Sequence, residues 1–263
     1  MRRTKWAEKI IPNPRQEREY IERDNKQSFD DKTKRIKKSG NKKQIMENSN
    51  LGSLIDNDIL KILYSRGITT EKEVIEFLNP KMENIQDPYG LQDMEKTVLE
   101  IEKAIKEQKN IWIYGDYDVD GTTAVSLMYL YLSKIVDKKY LDFYIPDRNL
   151  EGYGVSTEGI DFAKKNDFSL IIALDCGIKA GDKIDYANSL GIDFIVCDHH
   201  LPSDKIPNAF AVLDPKRADC RYPYKELSGC GVGFKLCQGL NAIYKIPENE
   251  LFELTDLLAI SIA

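Results

Sequence analysis

The chain has only two histidines in 263 residues, and they are neighbours, His199 and His200. Its five cysteines, Cys176, Cys197, Cys220, Cys230 and Cys237, contain no C-x-x-C pair. That spacing argues against a structural zinc site or a disulfide framework, and for buried free thiols in a reducing compartment. No run approaches the ~18–20 apolar residues of a membrane span. The first residues, MRRTKWAEKI, lack the apolar centre of a signal peptide. A cytoplasmic protein without membrane contact is therefore expected. Neither G-x-x-x-x-G-K-[ST] nor a G-x-G-x-x-G following a strand occurs, which excludes a P-loop and a dinucleotide-binding turn. There is no internal repeat.

What is present is an ordinary globular composition, 42% apolar and 31% charged, with a net charge of −5. The charge is uneven. Residues 1–50 carry 15 Lys and Arg against 8 Asp and Glu, so the excess of negative charge lies beyond them. Such a basic stretch either contacts phosphates or is a solvated, weakly ordered arm, with one helix expected near 15–24. From residue 51 the pattern becomes helical. LIDNDILKILYSRG stops at Gly67, TEKEVIEFLNP starts from a Thr70–Glu73 capping box and stops at Pro80, and a further helix is expected over 93–108.

Strand and helix patterns then alternate. Strands are expected at 111–115, 141–146, 169–174, 193–197 and 209–215, and helices at 122–136, 157–165, 180–190, 231–244 and 248–262. The chain thus divides into a basic arm (1–50), a helical lead-in (51–110) and an α/β domain (111–263), an open, mostly parallel sheet flanked by helices. In such sheets ligands bind beyond the carboxyl ends of the strands.

Three of those ends are acidic. The first runs into Asp116, Asp118 and Asp120, the third into Asp175, and the fourth into Asp198, His199 and His200. One aspartate after a strand is ordinarily a helix cap. Three clusters at one sheet edge, with every histidine among them, are not explained that way. Carboxylates and imidazoles without thiolate suit Mn²⁺ or Mg²⁺, and several carboxylates from separate strands suit two ions clamping a phosphoryl transfer. A central carboxylate should bridge them, and Asp175 is the choice. One imidazole would bind metal. The other would hydrogen-bond a phosphate oxygen or assist proton transfer. Gly121 and Thr122 open the helix after the first cluster, where an anion is favoured. Gly231 and Gly233, in GCGVGF, are either a tight helix start or part of a phosphate or substrate loop.

GDYDVDGTTA, ALDCGI and CDHH, in this order, resemble the DHH phosphoesterase superfamily. YIPDRNLEGYGVS, ELSGCGVGFKLCQ and LYSRGITTEKEVIEFLNP resemble its RecJ family of single-strand-specific 5′→3′ DNA exonucleases. The likeness covers roughly residues 50–263. It implies metal-dependent hydrolysis of single-stranded DNA in repair and recombination, with a single-strand-binding protein and a helicase as partners. By position it implies Asp118, Asp120, Asp175 and His199 as metal ligands and Asp116 as a ligand or a supporting group. It places His200 near metal or scissile phosphate, Asp198 orienting the histidine pair, and Arg148 on phosphate or strand. Tyr114 departs from the pattern, since many members have histidine there. One ion would then be held more weakly, or by another group such as Asp116. The family's fourth motif, a further aspartate after a helix–strand run like LTDLLAISIA, is not found, and Asp256 is not assigned its role. The chain is expected to be an N-terminal fragment with weak or no nuclease activity at this length. Two alternatives are a DHH phosphodiesterase acting on short oligonucleotides or cyclic dinucleotides, and an inactive nucleic-acid-binding or scaffold relative.

Overall fold

In the computed structural model, residues 55–81 and 84–263 are described. They belong to two compact units, Met1–Ile85 and Gln86–Ala263. The basic arm and its expected helix lie outside the described residues.

The first unit contains helices α1 (Asn57–Ser65) and α2 (Glu71–Leu78). Asp56 caps α1 by accepting from the Asp58 amide, and α1 ends just before Gly67, which has a φ of 89°. The Thr70–Glu73 capping box is formed in both directions. Leu60, Leu63 and Val74 make the small core of this unit.

The second unit begins earlier than the α/β alternation does, because helix α3 (Met94–Lys106) packs with the sheet. Strands β1 (Asn110–Gly115), β2 (Leu141–Tyr144), β3 (Phe168–Leu174), β4 (Asp193–Cys197) and β5 (Ala211–Leu213) form a sheet ordered β2-β1-β3-β4-β5. Every strand pair is parallel. Helices α4 (Val119–Leu132), α5 (Thr157–Lys165), α6 (Gly181–Ser189) and α7 (Gly229–Tyr244) connect or follow them, then α8 (Glu248–Phe252) and α9 (Thr255–Ile262).

Both faces of the sheet are covered, so its strands are near-continuous apolar runs. Ile111, Ile113, Leu170, Ile172 and Leu174 meet α3, α4 and α7 on one face. Trp112, Tyr114, Ile171 and Ala173 meet α5 and α6 on the other. β1 is followed by β2 on one side of it and by β3 on the other. The strand order therefore reverses between β1 and β3, the place where an open α/β sheet leaves a crevice at its carboxyl edge.

Two expectations change. Helix α4 begins at Val119 rather than 122, because the Asp118 carboxylate caps it from the Gly121 amide. Asp120 therefore lies in the first turn of the helix. The 248–262 helix is broken at 253–254, and α9 is helical throughout, so LTDLLAISIA contains no strand and Asp256 sits in a first helical turn. No helix among the described residues is long and apolar enough to cross a membrane.

At the end of β1 the backbone runs close under α4. A Cβ built on Gly115 would lie 2.2 Å from Val125 Cγ2 and 3.2 Å from the Gly121 carbonyl. Gly115→Ala is expected to destabilise the second unit by about 1–3 kcal/mol, the usual cost of overpacking a filled core. Urea denaturation of both proteins would check this through the shift in midpoint.

Candidate metal centre

The three acidic strand ends meet in the crevice between β1 and β3. Ligand atoms of Asp116, Asp118 and Asp175 all lie within 4.8 Å of one another, and so do those of Asp175, His199 and His200. Asp175 is common to both groups. Its backbone has a φ of 61°, in the left-handed region that aspartate tolerates better than most residues, and its amide donates to the Cys197 carbonyl at 2.9 Å. The chain thus turns sharply at the end of β3 and stays tied to β4.

Two glycines let the backbone close around this point. A Cβ on Gly121 would meet the Asp116 carbonyl oxygen at 2.4 Å. A Cβ on Gly229, the first residue of α7, would meet Asp175 Oδ1 at 2.4 Å. The N-terminus of α7 therefore faces the cluster, and Asp120 takes its first amides. Gly229 N and Cys230 N donate to the two Asp120 oxygens, each at 2.7 Å. Asp120 Oδ2 also lies 3.6 Å from His199 Nε2. Asp120, expected as a ligand beside Asp118, thus also caps α7, and Asp116 groups with Asp118 and Asp175.

The two histidines are held differently. His199 Nε2 lies 3.1 Å from Asp175 Oδ1. His200 Nδ1 lies 2.7 Å from Asp198 Oδ1, which also accepts from the His199 and His200 amides. Asp198 Oδ2 accepts from Ile178 N at 2.9 Å. Asp198 is buried and fully satisfied, so it orients His200 and fixes its ring. Burial pushes the Asp198 carboxyl up, but the bonds from His200 and Ile178 N outweigh it and hold it below the usual carboxylate range. Those same partners raise the imidazoles, His199 through Asp175 and His200 through Asp198.

The inner carboxylates are not satisfied in this way. Asp116 Oδ1 and Asp175 Oδ1 are buried without a hydrogen-bond partner of good geometry among the described residues. Burial raises Asp116 and pushes Asp175 up to about 7; the charges of Asp120 and Asp118 add to the Asp175 rise. His199 is the one imidazole of the described residues against Asp175 Oδ1, at 3.1 Å, and it leaves Asp116 Oδ1 unanswered, so these buried, mutually repelling oxygens still favour a cation or protons. A divalent ion bound by oxygen and imidazole ligands fits this donor set.

Tyr114 is turned away from the cluster, to the α5 face of the sheet. Its hydroxyl donates to the Gly154 carbonyl at 2.9 Å and accepts from Ser156 N at 3.1 Å. Burial raises its phenol far above the ordinary value, so it stays neutral. Arg148 is exposed and lies over the Tyr117 ring at 5.2 Å. Tyr117 meets Tyr153 edge to face, and Tyr153 does the same with His200, its hydroxyl 3.3 Å from His200 Nε2. This chain of contacts brings Arg148 to the rim beside His200.

The remaining candidates have local uses. Thr122 Oγ1 donates to the Asp118 carbonyl at 2.7 Å. Gly231 N is taken by the Ser228 cap, and Gly233 packs against Leu174 and Met128. GCGVGF is therefore the start of α7, set close on the sheet. One acidic residue was missed. Asp214 directly follows β5, is fully buried, is pushed up to about 6 by burial, and has one oxygen without a partner among the described residues. The signal was there, since it repeats the strand-then-aspartate pattern of its three neighbours.

With a chelator present, stability should fall as pH rises from about 4 to about 7. In that window the folded chain keeps the Asp175 proton that the unfolded chain has lost, so unfolding is favoured as pH climbs. Asp175→Asn should flatten this slope, as measured by urea midpoints at pH 5 and pH 8.

Residues 110–262 match the family described as DHH family, N-terminal domain. The single-stranded-DNA-specific exonuclease RecJ of Bacillus subtilis is 41% identical over 202 residues, which are 77% of this chain and 25% of that protein. The chain thus spans about a quarter of that curated relative's length. A crystal structure of exonuclease RecJ bound to manganese superposes with a TM-score of 0.57 at 29% identity, over 64% of this chain and 42% of that one. RecJ of Thermus thermophilus in complex with Mn²⁺ gives 0.58 at 25% identity, over 75% of this chain and 26% of that one.

Proposed function

The chain belongs to the DHH family, and on that premise we propose that its acidic crevice holds two Mn²⁺ or Mg²⁺ ions for hydrolysis of single-stranded DNA from the 5′ end. The observation that carries this reading is the sharing of Asp175 by two groups of ligand-capable atoms. Asp116, Asp118 and Asp175 would hold one ion, and Asp175 with His199 the other. The relatives named above are single-strand-specific exonucleases, and manganese is the ion in the two superposed structures.

Bound there, such ions would make water nucleophilic at neutral pH and counter the charge of the scissile phosphate. The side chains do the rest. Asp198 fixes the His200 ring through Nδ1, which leaves Nε2, 3.3 Å from the Tyr153 hydroxyl, to hydrogen-bond a phosphate oxygen or move a proton to the leaving oxygen. Arg148, at the rim beside it, is placed to pair with a strand phosphate. In repair and recombination the substrate strand would be exposed by a helicase and held by a single-strand-binding protein.

Calorimetry with Mn²⁺ on the chain and on Asp175→Ala tests the reading. Two ions per chain are expected, both weakened at least about tenfold in the variant because one carboxylate serves both. Affinity should also rise with pH through about 7, as Asp175 gives up its proton. Absence of Mn²⁺ binding would refute the proposal. Two bound ions without nucleotide release from 5′-labelled single strands would favour the binding-only alternative.

Loss of the His200 ring anchor separates chemistry from ion binding. Asp198→Asn is expected to lower the rate of strand cleavage by about 10²-fold, the lower end for a positioned acid–base group. Mn²⁺ stoichiometry should be unchanged. A single-turnover cleavage assay paired with calorimetry would show whether the two effects divide in this way.

A further inference from the structure

The connection from β2 to α5, residues 145–156, carries Arg148 and Tyr153 on its outer side and has a buried inner side, Gly154 to Ser156. The inner side is held by one network. Tyr114, from β1, contributes its hydroxyl to the Gly154 carbonyl and the Ser156 amide, at 2.9 and 3.1 Å. Ser156 Oγ donates to Glu151 Oε2 at 2.6 Å and accepts from Gly159 N at 2.9 Å, capping α5. Glu151 Oε1 accepts from the Tyr144 hydroxyl at 2.6 Å and from Asp147 N at 3.0 Å. Burial pushes the Glu151 carboxyl up, but its hydrogen bonds from Ser156, Tyr144 and Asp147 N outweigh that and hold it below the usual carboxylate range. The rings of Tyr114 and Tyr144 lie 5.6 Å apart.

None of these four side chains belongs to the two groups of ligand-capable residues. All four converge on the segment whose outer residues stand at the crevice. Tyr153 is 60% exposed, yet its hydroxyl is 3.3 Å from His200 Nε2. A loop with so much exposed side chain keeps that register only if its buried edge is pinned.

We infer that Tyr114, Glu151 and Ser156 are positioning residues that anchor the Arg148–Tyr153 wall over the His200 side of the crevice, so that a single-stranded, phosphate-bearing chain meets a preformed rim. On this inference Tyr114, the departure from the family's histidine, gives up ion binding and serves the strand instead. The inference rests on the nuclease reading for the identity of the strand, and on the hydrogen-bond network alone for the anchoring.

The test uses Tyr114→Phe, which keeps the buried ring and removes the hydroxyl, with Ser156→Ala and the conservative Ser156→Thr. Amide exchange of residues 147–156, read by mass spectrometry without DNA, should quicken about tenfold in Tyr114→Phe and Ser156→Ala and recover in Ser156→Thr. Affinity for a 5′-phosphorylated, fluorescein-labelled oligothymidylate, read by anisotropy with Mn²⁺, should weaken about tenfold in the same two variants. The Mn²⁺ isotherm should stay within about twofold of the unaltered chain, because no ion-facing group has changed. Unchanged exchange would overturn the anchoring. Faster exchange with unchanged oligonucleotide affinity would make the network merely structural and overturn the positioning role. If the unaltered chain binds Mn²⁺ but no oligonucleotide, the nuclease reading and the positioning role fail together, and exchange alone then decides whether the anchor exists.

Discussion

Like charge crowded at the end of two neighbouring strands is the constraint on which this structure turns. At separations under 4.8 Å, two carboxylates repel by roughly 3–4 kcal/mol at the effective dielectric of a protein surface. The fold answers this unequally. Asp118 and Asp120 hand their charge to the N-termini of α4 and α7, where backbone amides and helix dipoles receive it. Asp116 and Asp175 keep buried oxygens with no such partner. The outer carboxylates thus stabilise the helices that enclose the crevice, and the inner ones stay reactive.

That division explains the glycines around the centre. Helix α7 can deliver its amides to Asp120 only by passing Asp175 at a distance that excludes any side chain at position 229. Gly121 permits the same closeness between α4 and the Asp116 backbone. Histidine placement follows a parallel logic. Successive residues of one strand end, His199 and His200, lean on carboxylates of different strands, Asp175 of β3 and Asp198 of β4. Each ring is therefore steered by a separate charge.

The sheet and its acidic edge were legible in the sequence because both are local patterns. An apolar strand followed at once by aspartate is visible within six or seven residues, and parallel topology then forces such ends to one edge. What could not be read was long-range. The partner of Asp120 lies 109 residues further on, at Gly229, and no spacing rule joins them. Tyr114 looked like a missing ligand, because its strand position does not tell which face the ring takes or that Gly154 and Ser156 wait there. The cap that starts α4 at Val119 hides inside the acidic motif, since the same aspartate satisfies both patterns. Asp214 was overlooked for a different reason. The strand expected over 209–215 runs past it, whereas the observed one ends at Leu213, so the acid reads as part of the strand and not as the residue behind it.

The placement of the rim has a consequence for substitution. Ligand-capable residues come from β1, β3 and β4, the interior of the sheet, where any change disturbs neighbours on both sides. The Arg148–Tyr153 wall hangs from β2, an edge strand with one neighbour among the described strands. Its outer residues, 147–153, can change without touching the core, whereas Val155 and Ser156 tie its inner side to β1 through Tyr114. The rim and the ligand-capable residues thus hang on different parts of the sheet, the one on its edge and the other on its interior.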